Sequence, residues 1–138
     1  MMDLNVLYCF DSGYNTQTVV SINSILHKID DIKLNVYIIH KNPETFTNYK
    51  LELINNPKIG RVEVYKFNRD ISNYPNLANK HVSEATYYRL FISEYLPKDI
   101  DRIIYLDSDV FCLNNPTELI DETFNKMNKD GFYISVST

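Results

Sequence analysis

Glycine is scarce: the 138 residues contain three, Gly13, Gly60 and Gly131. A dinucleotide-binding fingerprint needs three glycines within six residues and a Walker phosphate loop needs two ahead of Lys-Ser/Thr, so counting excludes both. Tryptophan is absent and there are two cysteines, Cys9 and Cys112. Neither has a second Cys or a His at zinc spacing, and each lies in an apolar stretch, which reads as a buried free thiol in a reducing compartment. No G-x-S-x-G serine elbow occurs. The N-terminal apolar run lacks a basic flank and stops at Asp11, so neither a signal peptide nor a membrane span is read there, and the expected location is cytoplasmic. Excess positive charge is also missing. Fourteen basic against 18 acidic side chains leave a net charge of −4, which gives no field to attract a nucleic-acid backbone but does not exclude a single nucleotide.

What remains is globular. Hydrophobic residues make up 44% and charged residues 23% of the chain, close to the average for packed soluble domains, and the length suits one domain or part of one. Residues 6–10 form a short continuous apolar run ending in Asp11-Ser12-Gly13, the pattern of a strand buried on both faces. From about 16 to 29, Val19, Ile22, Leu26 and Ile29 recur at helical spacing and predict a helix that covers a sheet. Residues 34–39 read as a second strand. Asn42-Pro43-Glu44 reads as the start of a helix running to about 55, with Asn42 as its cap and Pro43 in its first turn.

Residues 61–67 read as a third, partly exposed strand, and 68–80 as a long polar loop of the kind that often carries function. Ser83 can cap a helix over 84–96, ended by Pro97. Residues 102–106 are the most hydrophobic strand candidate, and Asp107-Ser108-Asp109 follows it. A further apolar run at 110–113, a Pro116-led turn of helix and a final strand at 132–136 complete the order. Alternating strands and helices predict a mostly parallel sheet flanked by helices, with ligands bound beyond the carboxyl ends of the strands.

Two of those carboxyl ends carry carboxylates: Asp11 after the first strand, and Asp107 with Asp109 after the fourth. A bare D-x-D is weak, since Asp99-Ile100-Asp101 is a second match in a chain with 11 aspartates. Its place at the end of an apolar strand is what gives the later pair weight. Neighbouring carboxylates repel one another and a divalent cation relieves that repulsion. Hard oxygen ligands suit magnesium or manganese, which also accept phosphate oxygens. A polar strand-end turn, with the aspartates bonding the following backbone, accounts for the same spacing equally well.

The combined string resembles glycosyltransferase family 8, the group of the glycogenins and the bacterial lipopolysaccharide galactosyl- and glucosyltransferases. The resemblance rests on Leu7-Tyr8-Cys9-Phe10-Asp11 with Tyr14, on a helix containing Ser21 and Ser24, on Ala85-Thr86-Tyr87-Tyr88-Arg89-Leu90, and on Arg102-Ile103-Ile104-Tyr105-Leu106-Asp107-Ser108-Asp109-Val110. It implies a Rossmann-like nucleotide-sugar-binding fold of the GT-A type. It also implies a retaining transfer of glucose or galactose from a UDP-sugar to the hydroxyl of a saccharide or lipid-linked saccharide, with manganese or magnesium.

By position, the resemblance makes Asp107 and Asp109 the metal ligands and puts Ser108 near the ribose through its backbone. Asp11 becomes an acceptor for the uracil, Cys9 a backbone contact, Tyr14 a residue that flanks or stacks on the base, and Arg89 the group that orients the donor sugar or diphosphate. His81 is placed toward the acceptor cleft. The resemblance leaves room for a full-length enzyme that sits peripherally on the inner face of the membrane.

The chain departs from the family in length and in its histidines. The family's third metal ligand is a histidine in its C-terminal half, whereas His27, His40 and His81 all precede Asp107. Residues 1–138 therefore read as the nucleotide-sugar-binding part, without the acceptor-binding half, and as weakly active or inactive alone. Two other readings stand beside this one. A haloacid-dehalogenase-type phosphohydrolase also places D-x-D after an apolar strand, and a non-catalytic module would keep only the nucleotide-sugar pocket.

Overall fold

The computed structural model describes residues 3–69, 88 and 91–130. Among them, four strands form one parallel sheet in the order β3-β2-β1-β4. β1 (Asp3–Phe10) leads through a single 3₁₀ turn (Ser12–Tyr14) into α1 (Asn15–Leu26). β2 (Lys33–His40) leads through a 3₁₀ turn (Pro43–Phe46) into α2 (Thr47–Ile54), and β3 (Ile59–Lys66) follows. The short helix α3 (Ile92–Tyr95), the two-residue β4 (Ile104–Tyr105) and α4 (Thr117–Asp130) complete the described elements.

The central strands are apolar on both faces because both faces are covered. Even-numbered residues of β1 and β2, among them Leu4, Val6, Tyr8, Phe10, Leu34, Val36 and Ile38, pack with Ile22, Ile25, Leu26 and Ile29 from α1 and its exit, and with Phe46 and Leu53 near α2. Odd-numbered Leu7, Cys9, Tyr37 and Ile39 pack on the other face with Phe67 and Tyr88, flanked by Phe91, Ile92 and Tyr95. Alternation along a strand sends successive side chains to opposite faces, so a run without polar residues marks a strand between two layers. Each such large side chain removed from water contributes about 1.5–3 kcal/mol. The Phe67 and Tyr88 rings stack with centroids 3.9 Å apart.

At the amino edge of the sheet the polar groups satisfy one another. Asn5 Nδ2 donates to the Arg102 carbonyl at 3.1 Å, and Asn35 Nδ2 donates to Asn5 Oδ1 at 3.0 Å. The β2–β3 register slips between Leu34 and Asn35, leaving Gly60 as the extra residue. A Cβ at Gly60 would run into Asn35 Oδ1, so only glycine lets the asparagine ladder pass. Lys58 Nζ donates to the Leu26 and Ile29 carbonyls at 2.9 and 2.8 Å, satisfying acceptors left open where α1 ends.

Several expectations change in detail. Asn42 does not cap α2 with its side chain. Its carbonyl accepts from the Thr45 amide and hydroxyl, and a 3₁₀ turn with Pro43 in its first turn precedes the α-helix. The strand expected at 102–106 pairs only through Ile104 and Tyr105, because the Arg102 carbonyl bonds Asn5 instead of the ladder. Residues 103–106 are half-buried, since β4 is an edge of the described sheet. The 110–113 run lies at the surface, with Val110, Phe111 and Leu113 exposed. Cys112 is accordingly half-buried, whereas Cys9 is buried, and neither forms a disulfide among the described residues. What Pro116 introduces is a helix of 14 residues, with Asn115 Oδ1 accepting from the Thr117 amide at its start. The loop beyond Arg69, most of the helix expected over 84–96 and the strand expected over 132–136 lie outside the described residues. That helix does end where Pro97 predicts, with Leu96 as C-cap in extended conformation.

Candidate functional site

The parallel arrangement brings Asp11 and the Asp107–Asp109 loop to the same edge, beyond the carboxyl ends of neighbouring strands. β1 and β4 pair as Val6↔Ile104 and Leu7↔Tyr105, and the Leu106 amide donates to the Leu7 carbonyl at 2.9 Å. Asp107 thus leaves β4 beside the last turn of β1's ladder. Asp11 Oδ1 accepts from the Gly13 amide at 2.9 Å, and the Tyr14 amide donates to the Asp11 carbonyl at 3.0 Å. The Asp11 loop is therefore a closed turn with Tyr14, 44% exposed, at its exit.

A polar triad, buried His40 and Asn15 with exposed Thr45, fixes the start of α1 against the neighbouring β2 loop. The Asn42 amide donates to His40 Nδ1 at 2.7 Å, so the imidazole proton sits on Nε2, which faces Asn15 Oδ1 at 2.7 Å. The Asn15 amide nitrogen in turn donates to the Thr45 hydroxyl and carbonyl at 3.0 and 3.3 Å. Burial lowers the His40 pKa from 6.5, opposed by the nearby Asp11 and Glu44 charges, and the neutral ring is the form these bonds require. Asn42 Oδ1 reaches back to the Ser12 amide at 3.4 Å. His40, the last residue of β2, thus aligns the turn that carries Asp11.

A row of small hydroxyls on α1 faces the other loop. Thr18 Oγ1 is 2.9 Å from Ser108 Oγ, and Ser24 Oγ accepts from the Cys112 amide at 2.9 Å while donating to the Ser21 carbonyl at 2.6 Å. Ser21 Oγ lies 2.8 Å from the Tyr8 hydroxyl, whose pKa burial pushes up to about 12. Within the loop the Val110 amide donates to the Asp107 carbonyl at 3.2 Å. The Asp107 and Asp109 side chains are exposed, and among the described residues neither has a hydrogen-bond or ion-pair partner. Asparagine or aspartate turns that exist to bond their own backbone use the side chain to do so, and these two do not.

The structure thus gathers Asp11, Tyr14, Asp107, Ser108 and Asp109 at one edge. Cys9, one residue before the end of β1, has its side chain buried on the opposite face, so only its backbone is available there. Arg89 and His81 lie outside the described residues. Sequence alone gives no part in the site to Asn15, Thr18, His40, Asn42 or Thr45. The visible signal was a row of small polar residues, Asn15, Thr18, Ser21 and Ser24, at three-residue intervals beside the apolar stripe of α1.

The sequence matches glycosyl transferase family 8 over residues 5–130. The chain belongs to that family. It is 32% identical over 118 residues to a lipopolysaccharide 1,2-glucosyltransferase of Escherichia coli (strain K12), covering 85% of this chain and 34% of that protein. It is 26% identical over 121 residues to a lipopolysaccharide 1,3-galactosyltransferase of Salmonella typhimurium (strain LT2), covering 87% and 35%. The galactosyltransferase LgtC, solved with donor and acceptor sugar analogues, superposes with a TM-score of 0.71 at 23% identity over 84% of this chain and 41% of LgtC. That likeness establishes the GT-A type fold. The chain spans about a third of the length of the curated family 8 relatives it matches. Family 8 membership replaces the phosphohydrolase reading of the D-x-D strand end. Among the described residues no helix is long and apolar enough to cross a membrane.

Proposed function

We propose that this chain is the nucleotide-sugar-binding part of a family 8 hexosyltransferase. The reaction moves glucose or galactose, with retention, from a UDP-sugar to a hydroxyl of a saccharide or lipid-linked saccharide in surface-polysaccharide assembly. One observation carries the reading: the Asp11 loop and the Asp107–Asp109 loop leave adjacent parallel strands at one edge, with both later carboxylates exposed and unpartnered among the described residues. Asp11 would take the uracil, with Tyr14 beside the base and the Cys9 and Ser108 backbones completing the contacts.

Asp107 and Asp109 fit manganese or magnesium, because such ions are commonly held by one or two carboxylates together with substrate phosphates and retained water. Among the described residues no group of three potential ligands exists, so the diphosphate and water would complete the shell. When bound, the cation offsets the charge that grows on the departing diphosphate. The chain's own residues orient the base through Asp11, close the turn through the Gly13 amide, and present two carboxylates. Arg89 is assigned the orientation of the donor sugar or diphosphate.

Calorimetric titration with UDP, with and without manganese, tests the reading. Binding that tightens at least tenfold with the metal supports it. Equal or absent binding in both conditions overturns it. Release of hexose from a UDP-hexose by the 138-residue chain separates a working transferase part from a binding module.

A further inference from the structure

We propose that Thr18 is a positioning residue for the metal-binding loop, holding Ser108 so that Asp107 and Asp109 keep a fixed place beside the Asp11 loop. The proposal rests on the reading that these aspartates hold a divalent cation. Thr18 is fully buried in the first half of α1, and its Oγ1 lies 2.9 Å from both the Tyr14 carbonyl and Ser108 Oγ. Thr18 Oγ1 is the donor toward both acceptors, its one hydroxyl proton shared between the Tyr14 carbonyl and Ser108 Oγ. One oxygen therefore ties the exit of the Asp11 turn to the residue between the two aspartates.

The far end of the loop is pinned to the same helix, where Ser24 accepts from the Cys112 amide. Thr18 and Ser24 are six residues apart, about 9 Å along the axis at the helical rise. Residues 108–112 lie between the two pins, and the exposed Asp109 is among them. The backbone ladder fixes the loop only as far as the Leu106 amide. Beyond it, side-chain fastening on α1 sets the placement of both carboxylates, and Thr18 is the fastener that also touches the Asp11–Tyr14 turn.

Thr18→Val keeps the shape and removes the hydroxyl, Thr18→Ser restores it, and Ser108→Ala breaks the same bond from the other side. Manganese is titrated calorimetrically into the 138-residue chain at saturating UDP, and UDP affinity is measured separately without metal. Thr18→Val is expected to raise the manganese concentration for half-saturation about tenfold, the scale of one hydrogen bond. Metal-free UDP affinity should fall by less, Thr18→Ser should recover the parent value, and the Thr18→Val/Ser108→Ala double variant should lose no more than either single one. An unchanged manganese dependence in Thr18→Val overturns the proposal. So does an equal loss of UDP affinity with and without metal, which is what a merely structural role gives. Should Thr18→Val fail to fold, the half-buried Ser108→Ala carries the same comparison. A parent chain whose UDP binding ignores manganese sinks the donor-site reading itself, an outcome distinct from failure of the Thr18 variants alone.

Discussion

The two edges of the sheet use polar side chains in opposite ways. At the amino edge, Asn5, Asn35 and Lys58 place their donors on carbonyl or amide oxygens of the chain itself, and Gly60 is needed for the ladder to pass. At the carboxyl edge, His40, Asn15 and Thr18 are similarly engaged, but the groups they align are left open: the exposed carboxylates of Asp107 and Asp109 and the ring of Tyr14. A closed network stabilises, whereas one that ends in exposed carboxylates, unpartnered among the described residues, leaves those groups open. Stability and binding should therefore separate between the edges.

The largest expected effect is on binding. Asp109→Asn, and Asp107→Asn beside it, should remove the manganese-dependent part of UDP affinity, a loss of 100-fold or more, or about 2.7 kcal/mol. Thermal stability should change by no more than about 0.5 kcal/mol, as for other exposed positions. Calorimetry and thermal melting on the same samples check both halves. If Asp109→Asn destabilises the chain instead, the contrast between the edges fails.

Next comes Gly60→Val at the opposite edge. The new side chain meets Asn35 and forces the bulge to shift, an overpacking cost of about 1–3 kcal/mol in denaturant unfolding. UDP affinity of the folded fraction should be unaltered. Asn15→Ala should lie between these two cases, because it strips His40 Nε2 of its buried acceptor at the cost of about 1–3 kcal/mol, and the Asp11 turn loses its anchor to Thr45. Loss of both stability and metal-free UDP affinity would mark the triad as belonging to the carboxyl edge in both senses.

The smallest effect is a pH dependence. The folded chain holds His40 neutral with its pKa lowered from 6.5, so below about that pH the unfolded chain binds a proton that the folded one refuses. His40 therefore contributes stability that is fully present above pH 6.5 and declines as the pH falls toward its lowered folded value. Urea midpoints measured from pH 7.5 down to 5 should fall more steeply in the parent than in His40→Gln, whose amide does not titrate.

Much of the layer order was legible because it follows from periodicity. The apolar runs in β1 and β2 and the Val19, Ile22, Leu26 and Ile29 stripe of α1 each occupy the layer their spacing predicts. Asp11 and the Asp107–Asp109 pair emerged at one edge because parallel order alone dictates it. Less legible were features decided by single long-range bonds. Asn42 looks like a helix cap by type, yet its side chain reaches Ser12 across 30 positions. The fourth strand is short because Asn5 captures the Arg102 carbonyl. α4 was read as one turn, since its mostly polar surface hides Ile120, Phe124 and Met127, whose partial burial shows the inward face. The Thr18–Ser108 contact spans 90 positions, a separation at which a single sequence offers no local signal.

Two rungs join β1 to β4, Val6 with Ile104 and Leu7 with Tyr105. So brief a seam leaves the gap between the two loops weakly specified by the sheet and strongly specified by one helix lying across them. Drift in α1 side chains can consequently widen or narrow that gap while every strand stays where it is.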